Sequence, residues 1–123
     1  MVFKLRPFAV FEPRQESGGD GNDFVNGGKG HVVLTGGKGN DRFIFNNGRD
    51  QITDFKVNDD YLYLDNKNWS GNLSAAEIVD RYAEEHNGNL IFDFGGNDEL
   101  TLMGVTNLNE VVDTISIFCF IYR

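Results

Sequence analysis

The sequence predicts a mainly β fold, in which a short right-handed coil of parallel strands is capped by one helix and an antiparallel hairpin. Three observations lead to this prediction. Glycine recurs every nine residues, at Gly21, Gly30, Gly39 and Gly48. One large apolar residue follows each of these glycines by four positions. The repeat ends at residue 53, and beyond residue 64 a helical pattern and three strand-like segments follow.

The repeat fills residues 18–53 with four units of nine residues. The units read GGDGNDFVN, GGKGHVVLT, GGKGNDRFI and a degenerate FNNGRDQIT. They follow the pattern G-G-x-G-x-D-x-U-x, in which U is large and apolar. A flexible glycine-rich linker would have no reason to place an apolar residue at every ninth position. The U residues are Val25, Leu34, Phe43 and Ile52.

Each unit divides into a six-residue turn and a three-residue strand. We number the turns in order: turn 1 (18–23), turn 2 (27–32), turn 3 (36–41) and turn 4 (45–50). In the strand, the U side chain points inward because side chains alternate across a strand. The glycines permit positive φ angles and leave carbonyl oxygens open to a hard cation. Two units complete one coil, so we expect turn 3 to stack on turn 1 and turn 4 on turn 2.

This pattern resembles the RTX, or haemolysin-type, calcium-binding repeats of proteins that bacterial type I systems export. The resemblance implies a parallel β-roll that binds Ca²⁺ between stacked turns, through backbone carbonyls and aspartate carboxylates. It implies carboxylate ligands at Asp23 and Asp41. The carbonyl ligands would come from residues such as Gly19, Gly21, Gly36 and Lys38.

Turns 2 and 4 match the pattern less well. Val32 takes the place of an aspartate in turn 2, although Asp50 remains in turn 4. His31 is a poor partner for an oxygen-seeking ion and is expected to be solvated.

The segment at 48–64, GRDQITDFKVNDDYLYL, resembles the element that closes many RTX modules. Asp50 and Asp54 flank Ile52, and their even separation predicts that both lie on one face of a strand. We expect them to help close the last calcium site, with Asp60 as a further ligand. The alternative for Asp54 is a carboxylate that serves only the turn, and Asp59 is read as solvated.

The remaining chain is predicted to cap the roll. Ser74 and Glu77 form a capping box at the start of a helix over residues 74–86. Strands at 90–94 and 99–103 then form a hairpin over the open end of the roll, and an apolar strand spans 114–122. The organisation is therefore an N-terminal extension (1–17), an RTX β-roll (18–64) and a C-terminal capping region (65–123) of the same domain.

Composition narrows the function. The net charge of −8 argues against nucleic-acid binding and suits a cation-binding protein, although a solubilising acidic surface would look the same. One cysteine excludes an internal disulfide. No apolar run approaches the roughly 20 residues of a membrane span, and the N-terminal segment is too polar for a cleaved secretory signal.

Three functions fit the sequence. The first is a calcium-binding module of a secreted, extracellular bacterial protein, which folds on binding Ca²⁺ and is passed through a type I exporter. The second is an enzyme, but the chain has neither H-E-x-x-H nor G-x-S-x-G, so activity would have to come from another region, as in a protease, lipase or epimerase. The third is a module that binds an acidic polysaccharide through Lys29, Lys38, Arg42 and Arg49. We therefore expect no enzyme activity in this chain.

Overall fold

The computed structural model describes residues 14–27 and 30–118. Ten strands, two α-helices and one short 3-10 helix make up this part of the chain. The strands are β1 (Arg14–Ser17), β2 (Phe24–Asn26), β3 (His31–Thr35), β4 (Arg42–Phe45), β5 (Arg49–Ile52), β6 (Tyr61–Asp65), β7 (Ala83–His86), β8 (Asn89–Gly95), β9 (Asp98–Leu102) and β10 (Ile115–Phe118). The helices are the 3-10 helix (Asn66–Asn68), α1 (Ala75–Tyr82) and α2 (Leu108–Val112).

The strands form two sheets, and successive strands of the repeat alternate between them. One sheet has the order β1-β3-β5-β9-β8-β7 and the other has the order β10-β6-β4-β2. Val25 pairs with Phe43, and Leu34 pairs with Ile52, so neighbouring strands of one sheet lie 18 residues apart in the sequence. All strand pairs are parallel except β7–β8 and β8–β9. The predicted β-roll with two units per coil is confirmed.

The core lies between the sheets and follows the predicted period. The four U residues (Val25, Leu34, Phe43 and Ile52) are at most 1% exposed. Each strand contributes only one or two inward side chains, so the roll itself buries little apolar surface. Burial of side chains in the capping region must therefore supply a large share of the hydrophobic stabilisation.

An aromatic cluster joins the cap to the roll. Phe94 lies at its centre, with ring centroids 5.8 Å from Phe45, 6.1 Å from Phe92, 5.8 Å from Trp69 and 5.1 Å from Tyr82. Phe45 belongs to the repeat, whereas the other four belong to the capping region. Offset and tilted ring contacts at these distances are attractive beyond their buried area.

The cap differs from the prediction in two respects. The helix ends at Tyr82 rather than at residue 86, because Ala83–His86 forms strand β7 and pairs with β8. The hairpin does not lie over the end of the roll: β9 pairs in parallel with β5 and so continues its sheet. The predicted capping box is present, with Ser74 accepting from the Glu77 amide and donating its own amide to the Glu77 carboxylate.

The boundaries of the roll also differ from the repeat pattern. Residues 14–17, assigned to the N-terminal extension, form β1 and pair with β3. Strands β3 and β5 begin at His31 and Arg49, two residues earlier than the nine-residue pattern predicts. Of the strand expected over 114–122, residues 115–118 are a strand and 119–122 lie outside the described residues.

Candidate metal centre

Turn 3 stacks directly on turn 1, as the repeat predicts. The carbonyl oxygen of Gly19 lies against the α-carbon of Gly37, and that of Gly21 lies against Gly39. Both upper glycines have positive φ angles, of 84° and 101°, and a side chain on either would collide with the carbonyl below. Glycine is therefore required here for two reasons, the backbone conformation and the close approach of two turns.

The gap between these two turns is lined by oxygen atoms. The Gly19 and Gly21 carbonyls point up from turn 1. The Gly36 carbonyl oxygen and Asp23 Oδ2 both lie 2.8 Å from where a β-carbon of Gly18 would stand. A larger residue at Gly18 would fill this cradle. The arrangement brings together four of the predicted ligands, Gly19, Gly21, Asp23 and Gly36.

Two carboxylate oxygens in this region have no hydrogen-bond donor. Asp23 Oδ2 and Asp41 Oδ2 are buried and have no hydrogen-bond partner. An unpaired buried acceptor is costly, and a buried charge more so. Calcium binds about six to eight oxygens from carboxylates, carbonyls and water. These carboxylate oxygens without hydrogen-bond partners, together with the glycine carbonyls beside them, are therefore oxygen ligands of the kind that calcium requires. The residues fit the metal that the repeat implies.

Carboxylates at equivalent positions of successive turns form a ladder. The Asp23 amide donates to Asp41 Oδ1 at 3.0 Å, and the Asp41 amide donates to Asp60 Oδ1 at 2.9 Å. The second Asp60 oxygen accepts from the Lys56 amide at 2.9 Å. The predicted ligand Asp60 thus occupies the same place in its turn as Asp41 does, but both of its oxygens already hold backbone amides.

The ladder concentrates negative charge around Asp41. Burial raises the pKa of the Asp41 carboxyl above its usual value, and the charges of Asp60, Asp23 and Asp54 raise it further. The hydrogen bond from the Asp23 amide lowers this pKa, but it only partly offsets the effects of burial and of the neighbouring charges. The fold therefore keeps a carboxylate where its charge is unfavourable unless a cation neutralises it.

This pKa predicts how the stability of the calcium-free chain depends on pH. A carboxyl whose pKa is raised by folding stabilises the fold below its unfolded-state pKa of about 3.9, and that stabilisation is lost as pH rises through the folded value. In the presence of a chelator, we expect the Asp41→Asn variant to lose this part of the pH dependence. The folded fraction of both proteins in chelator, followed by far-UV circular dichroism between about pH 4 and pH 7, checks this.

Glu77 has a resolved shift in the other direction, because hydrogen bonds with the Ser74 amide and hydroxyl lower its pKa. The contribution of Glu77 to the stability of the fold is lost as pH falls. The comparison with Asp41→Asn isolates the Asp41 contribution, since Glu77 is the same in both proteins. Identical pH dependence in the two proteins would contradict the assignment.

Asp54 differs from the prediction for it. It lies beyond the end of β5 rather than on the strand, so it does not share a strand face with Asp50. Its two oxygens accept from the amides of Gly36 and Gly37, each at 2.9 Å. The carboxylate thereby holds the glycine pair of turn 3 in position. This role is closer to the alternative given for Asp54, a carboxylate that serves only the turn.

Asp98 has a comparable position on the opposite side of the roll, which the sequence did not indicate. Its Oδ1 accepts from the Gly48 amide at 2.9 Å. Asp98 follows Gly48 by 50 residues, so no periodic spacing in the sequence links the two. Asp98 is the first residue of β9, and its carboxylate anchors turn 4.

On the side of the roll with turns 2 and 4, the carboxylate of Asp50 lies beside Gly27. Asp50 is 2% exposed and lies within β5, in register with Val32 and Leu100. Its Oδ2 lies 3.1 Å from where a β-carbon of Gly27 would stand. Asp50 pairs with these two apolar residues, so β5 begins inside the predicted turn 4 and Asp50 lies within the sheet. His31 is exposed, as expected.

In the described part of the chain, side chains alone do not make a metal site. Within residues 14–27 and 30–118, no three His, Cys, Asp or Glu side chains converge so as to hold an ion. A site between turns 1 and 3 would therefore depend on backbone carbonyls for most of its oxygens, which calcium accepts readily. The predicted carbonyl donor Lys38 lies at the exposed tip of turn 3.

The three described candidates for a basic patch, Lys38, Arg42 and Arg49, lie on different parts of the roll. Lys38 lies on turn 3, Arg42 on the outer face of one sheet and Arg49 on the other sheet. Lys29 lies outside the described residues. No helix in the described part of the chain is long and apolar enough to cross a membrane.

Comparison with known families agrees with this geometry. A family model described as the RTX calcium-binding nonapeptide repeat matches residues 17–52, in four copies. The four glycine-rich units are RTX repeats. RTX repeats form non-catalytic calcium-binding modules, so Ca²⁺ is the ion expected in the gap. The match covers less than a third of the chain, and no curated protein matches the chain.

A solved structure extends the likeness beyond the RTX repeats. The chain is similar to part of the extracellular lipase LipA from Serratia marcescens, with a TM-score of 0.56 and 27% sequence identity. The alignment covers 82% of this chain, so it includes much of the capping region, but only 20% of the lipase.

Proposed function

We propose that the chain is a calcium-dependent folding module of an exported bacterial protein. The observation that carries this proposal is the pair of buried carboxylate oxygens, Asp23 Oδ2 and Asp41 Oδ2, beside the stacked glycine turns. A fold that buries unpaired charge and has only a thin apolar core is unfavourable without a cation. Calcium would supply the missing positive charge and the missing coordination.

The proposed first site lies between turns 1 and 3. Its ligands are the Asp23 carboxylate and carbonyl oxygens of Gly19, Gly21, Gly36 and Lys38. A second site would lie between turn 3 and the following turn at 53–60, with Asp41 as its principal carboxylate. Asp54 and Asp60 border that site and belong to it in the proposal, although their oxygens hold turn amides. Asp50 is the weakest proposed ligand, because it lies between apolar neighbours.

The same carboxylates explain why folding would depend on calcium. Asp23, Asp41, Asp54 and Asp60 repel one another at neutral pH, as the raised pKa of Asp41 reflects. A ligand that binds only the folded state stabilises it by about 2.7 kcal/mol at 100 times its dissociation constant. Extracellular calcium modules commonly bind at about 0.1–1 mM. The chain would therefore be loosely structured in the cytosol, where a type I exporter could pass it, and would fold outside the cell.

We infer further that the module is the tail of a larger secreted protein. The likeness to one fifth of an extracellular lipase supports this inference, as does the match of the repeats to a non-catalytic family. Any enzyme activity would then come from a different region. An extracellular location follows from the same proposal.

Far-UV circular dichroism tests the proposal directly. After chelation, titration with Ca²⁺ is expected to give a cooperative gain of β signal, with a midpoint at or below about 1 mM. Mg²⁺ at equal concentration is expected to have little effect, because it requires a smaller and more regular site. A spectrum that is fully folded in chelator and indifferent to calcium would contradict calcium-dependent folding.

A second candidate function is binding of an acidic polysaccharide. One observation favours it: the Arg42 guanidinium lies 5.1 Å from the Phe24 ring centroid and 5.8 Å from that of Tyr61, on an exposed sheet face. Aromatic rings beside a cation suit a sugar that carries a carboxylate. The absence of a patch among the described basic residues weighs against it. Retention on a uronic-acid polymer that Arg42→Ala abolishes would support this function.

A further inference from the structure

The outer face of turn 1, on the side away from turn 3, has an unused stacking surface. We call it the open turn face and define it by Gly19 and Gly21. Both residues have positive φ angles, 83° and 96°, and no atom of residues 14–27 or 30–118 lies within 4 Å of where their β-carbons would stand. Their counterparts Gly37 and Gly39 instead meet the carbonyl oxygens of the turn beneath them.

The same contact occurs on the other side of the roll. The carbonyl oxygen of Gly30 lies against the α-carbon of Gly48, whose φ is 88°. Three times in this chain, then, a positive-φ glycine receives the carbonyl of the preceding turn. Gly19 and Gly21 have the conformation needed for that contact, and nothing in the described part of the chain makes it with them.

We propose that the open turn face docks an uncapped glycine turn of a second RTX-type polypeptide. The partner would place its carbonyl oxygens against the α-carbons of Gly19 and Gly21. Gly19 and Gly21 place their own carbonyl oxygens against turn 3 in the same way. It would also add strands to the outer edges of β1 and β2, which are end strands of their sheets among the described residues. An edge strand with open amides and carbonyls is a template for such addition.

The carboxylate ladder continues in the same direction. In each step, an aspartate accepts the amide of the aspartate one turn earlier, as Asp41 does from Asp23 and Asp60 does from Asp41. By the same rule, the Asp23 carboxylate would accept the backbone amide of a docked turn. The partner therefore needs both glycine carbonyls and a turn amide at this position, which are features of another nonapeptide turn.

A second copy of this chain does not fit this requirement. Stacking has a direction, with carbonyls on one side of the turn and glycine α-carbons on the other. In a second copy the edges that follow β5 and β6 are occupied by β9 and β10. Two copies joined at their open turn faces would bring α-carbons together without carbonyls.

Residues 1–13 of the chain also lack the required sequence. They contain no glycine, and Pro7 and Pro13 have no amide hydrogen for a sheet ladder. The docked turn must therefore come from a different repeat. This inference goes beyond the proposed function, because stacking of turns does not require that calcium drive folding of this module.

Binding of a labelled repeat peptide tests the inference. The probe is a fluorescent peptide with the sequence of residues 18–44, which carries three repeats and no cap, and its anisotropy is followed as full chain is added. We expect saturable binding in calcium. Gly19→Ala together with Gly21→Ala is expected to weaken it by about tenfold or more, because each new methyl group would meet a docked carbonyl.

Gly71→Ala is the matched control. Gly71 also has a positive φ, of 85°, with nothing within 4 Å of its β-carbon position, but it lies outside the open turn face. Absence of peptide binding to the wild-type chain, in calcium and in chelator alike, would overturn the inference. Equal binding by the wild-type chain and the double variant would overturn it as well.

Hydrogen–deuterium exchange gives a second readout without any substitution. Docking is expected to slow exchange of amides in residues 17–26 of the wild-type chain and to leave residues 89–102 unchanged. Protection that spreads equally over both regions would indicate general stabilisation and would contradict a site at the open turn face. A calcium-indifferent circular dichroism spectrum together with peptide docking would remove the proposed function and leave this inference intact.

Discussion

Replacement of Asp41 by asparagine is expected to abolish most of the stabilisation that calcium provides. The amide side chain keeps an oxygen that can accept from the Asp23 amide, now 3.0 Å from Asp41 Oδ1, but it loses the buried negative charge. If calcium binds about 100-fold more weakly, a concentration that stabilises the wild type by about 2.7 kcal/mol would stabilise the variant by only about 0.4 kcal/mol. Urea unfolding at fixed calcium measures this difference.

The calcium-free forms should differ in the opposite direction. Burial and neighbouring carboxylates disfavour the charge on Asp41, so asparagine is expected to make the chain more stable in chelator at neutral pH. Asp20→Asn is the matched control, since Asp20 lies exposed in turn 1 and its replacement removes the same charge. An equal loss of calcium stabilisation in both variants would mean that net charge, rather than the gap between the turns, governs the response.

Replacement of Gly37 by alanine is expected to be among the most destabilising single changes in the roll. The residue has a φ of 84°, and its β-carbon would collide with the Gly19 carbonyl oxygen. The backbone conformation costs about 1–2 kcal/mol for a residue with a side chain, and overpacking costs about 1–3 kcal/mol more. The sum, about 2–5 kcal/mol, is a large part of the total stability of a small domain. Urea unfolding in excess calcium measures it.

Gly88→Ala separates the two costs. Gly88 has nearly the same φ, 82°, but nothing lies within 4 Å of its β-carbon position in the turn between β7 and β8. Its replacement should cost only the backbone component, about 1–2 kcal/mol. If Gly37→Ala and Gly88→Ala are equally destabilising, the close stacking of turn 3 on turn 1 is not a determinant of stability.

The nine-residue period was sufficient to predict the roll. It identified the four inward side chains, the alternation of strands between two sheets and the stacking of turn 3 on turn 1. It succeeded because each repeat contacts its neighbour at a fixed separation of 18 residues, so that local spacing determines spatial neighbours. For the same reason, it brought Asp23 together with Asp41.

Contacts at irregular separations could not be predicted in this way. Ala83–His86 continues a helical pattern in the sequence, and it becomes a strand because β8 offers it a partner. Asp98 holds the Gly48 amide across 50 residues, and only the folded cap brings it there. Asp50 was expected to share a strand face with Asp54, but the strand that pairs Asp50 with Val32 and Leu100 ends at Ile52. Tertiary pairing overrides the local pattern in each case.

The pairing of β5 with β9 has a kinetic consequence. Arg49 pairs with Glu99, so 50 residues separate these strands, whereas 18 separate β3 from β5. Closing the longer loop costs roughly 1 kcal/mol more in chain entropy, and contacts of high sequence separation slow folding. Pairing of β5 with β9 should therefore follow pairing of β3 with β5, and the edge of β5 stays open until β9 has docked.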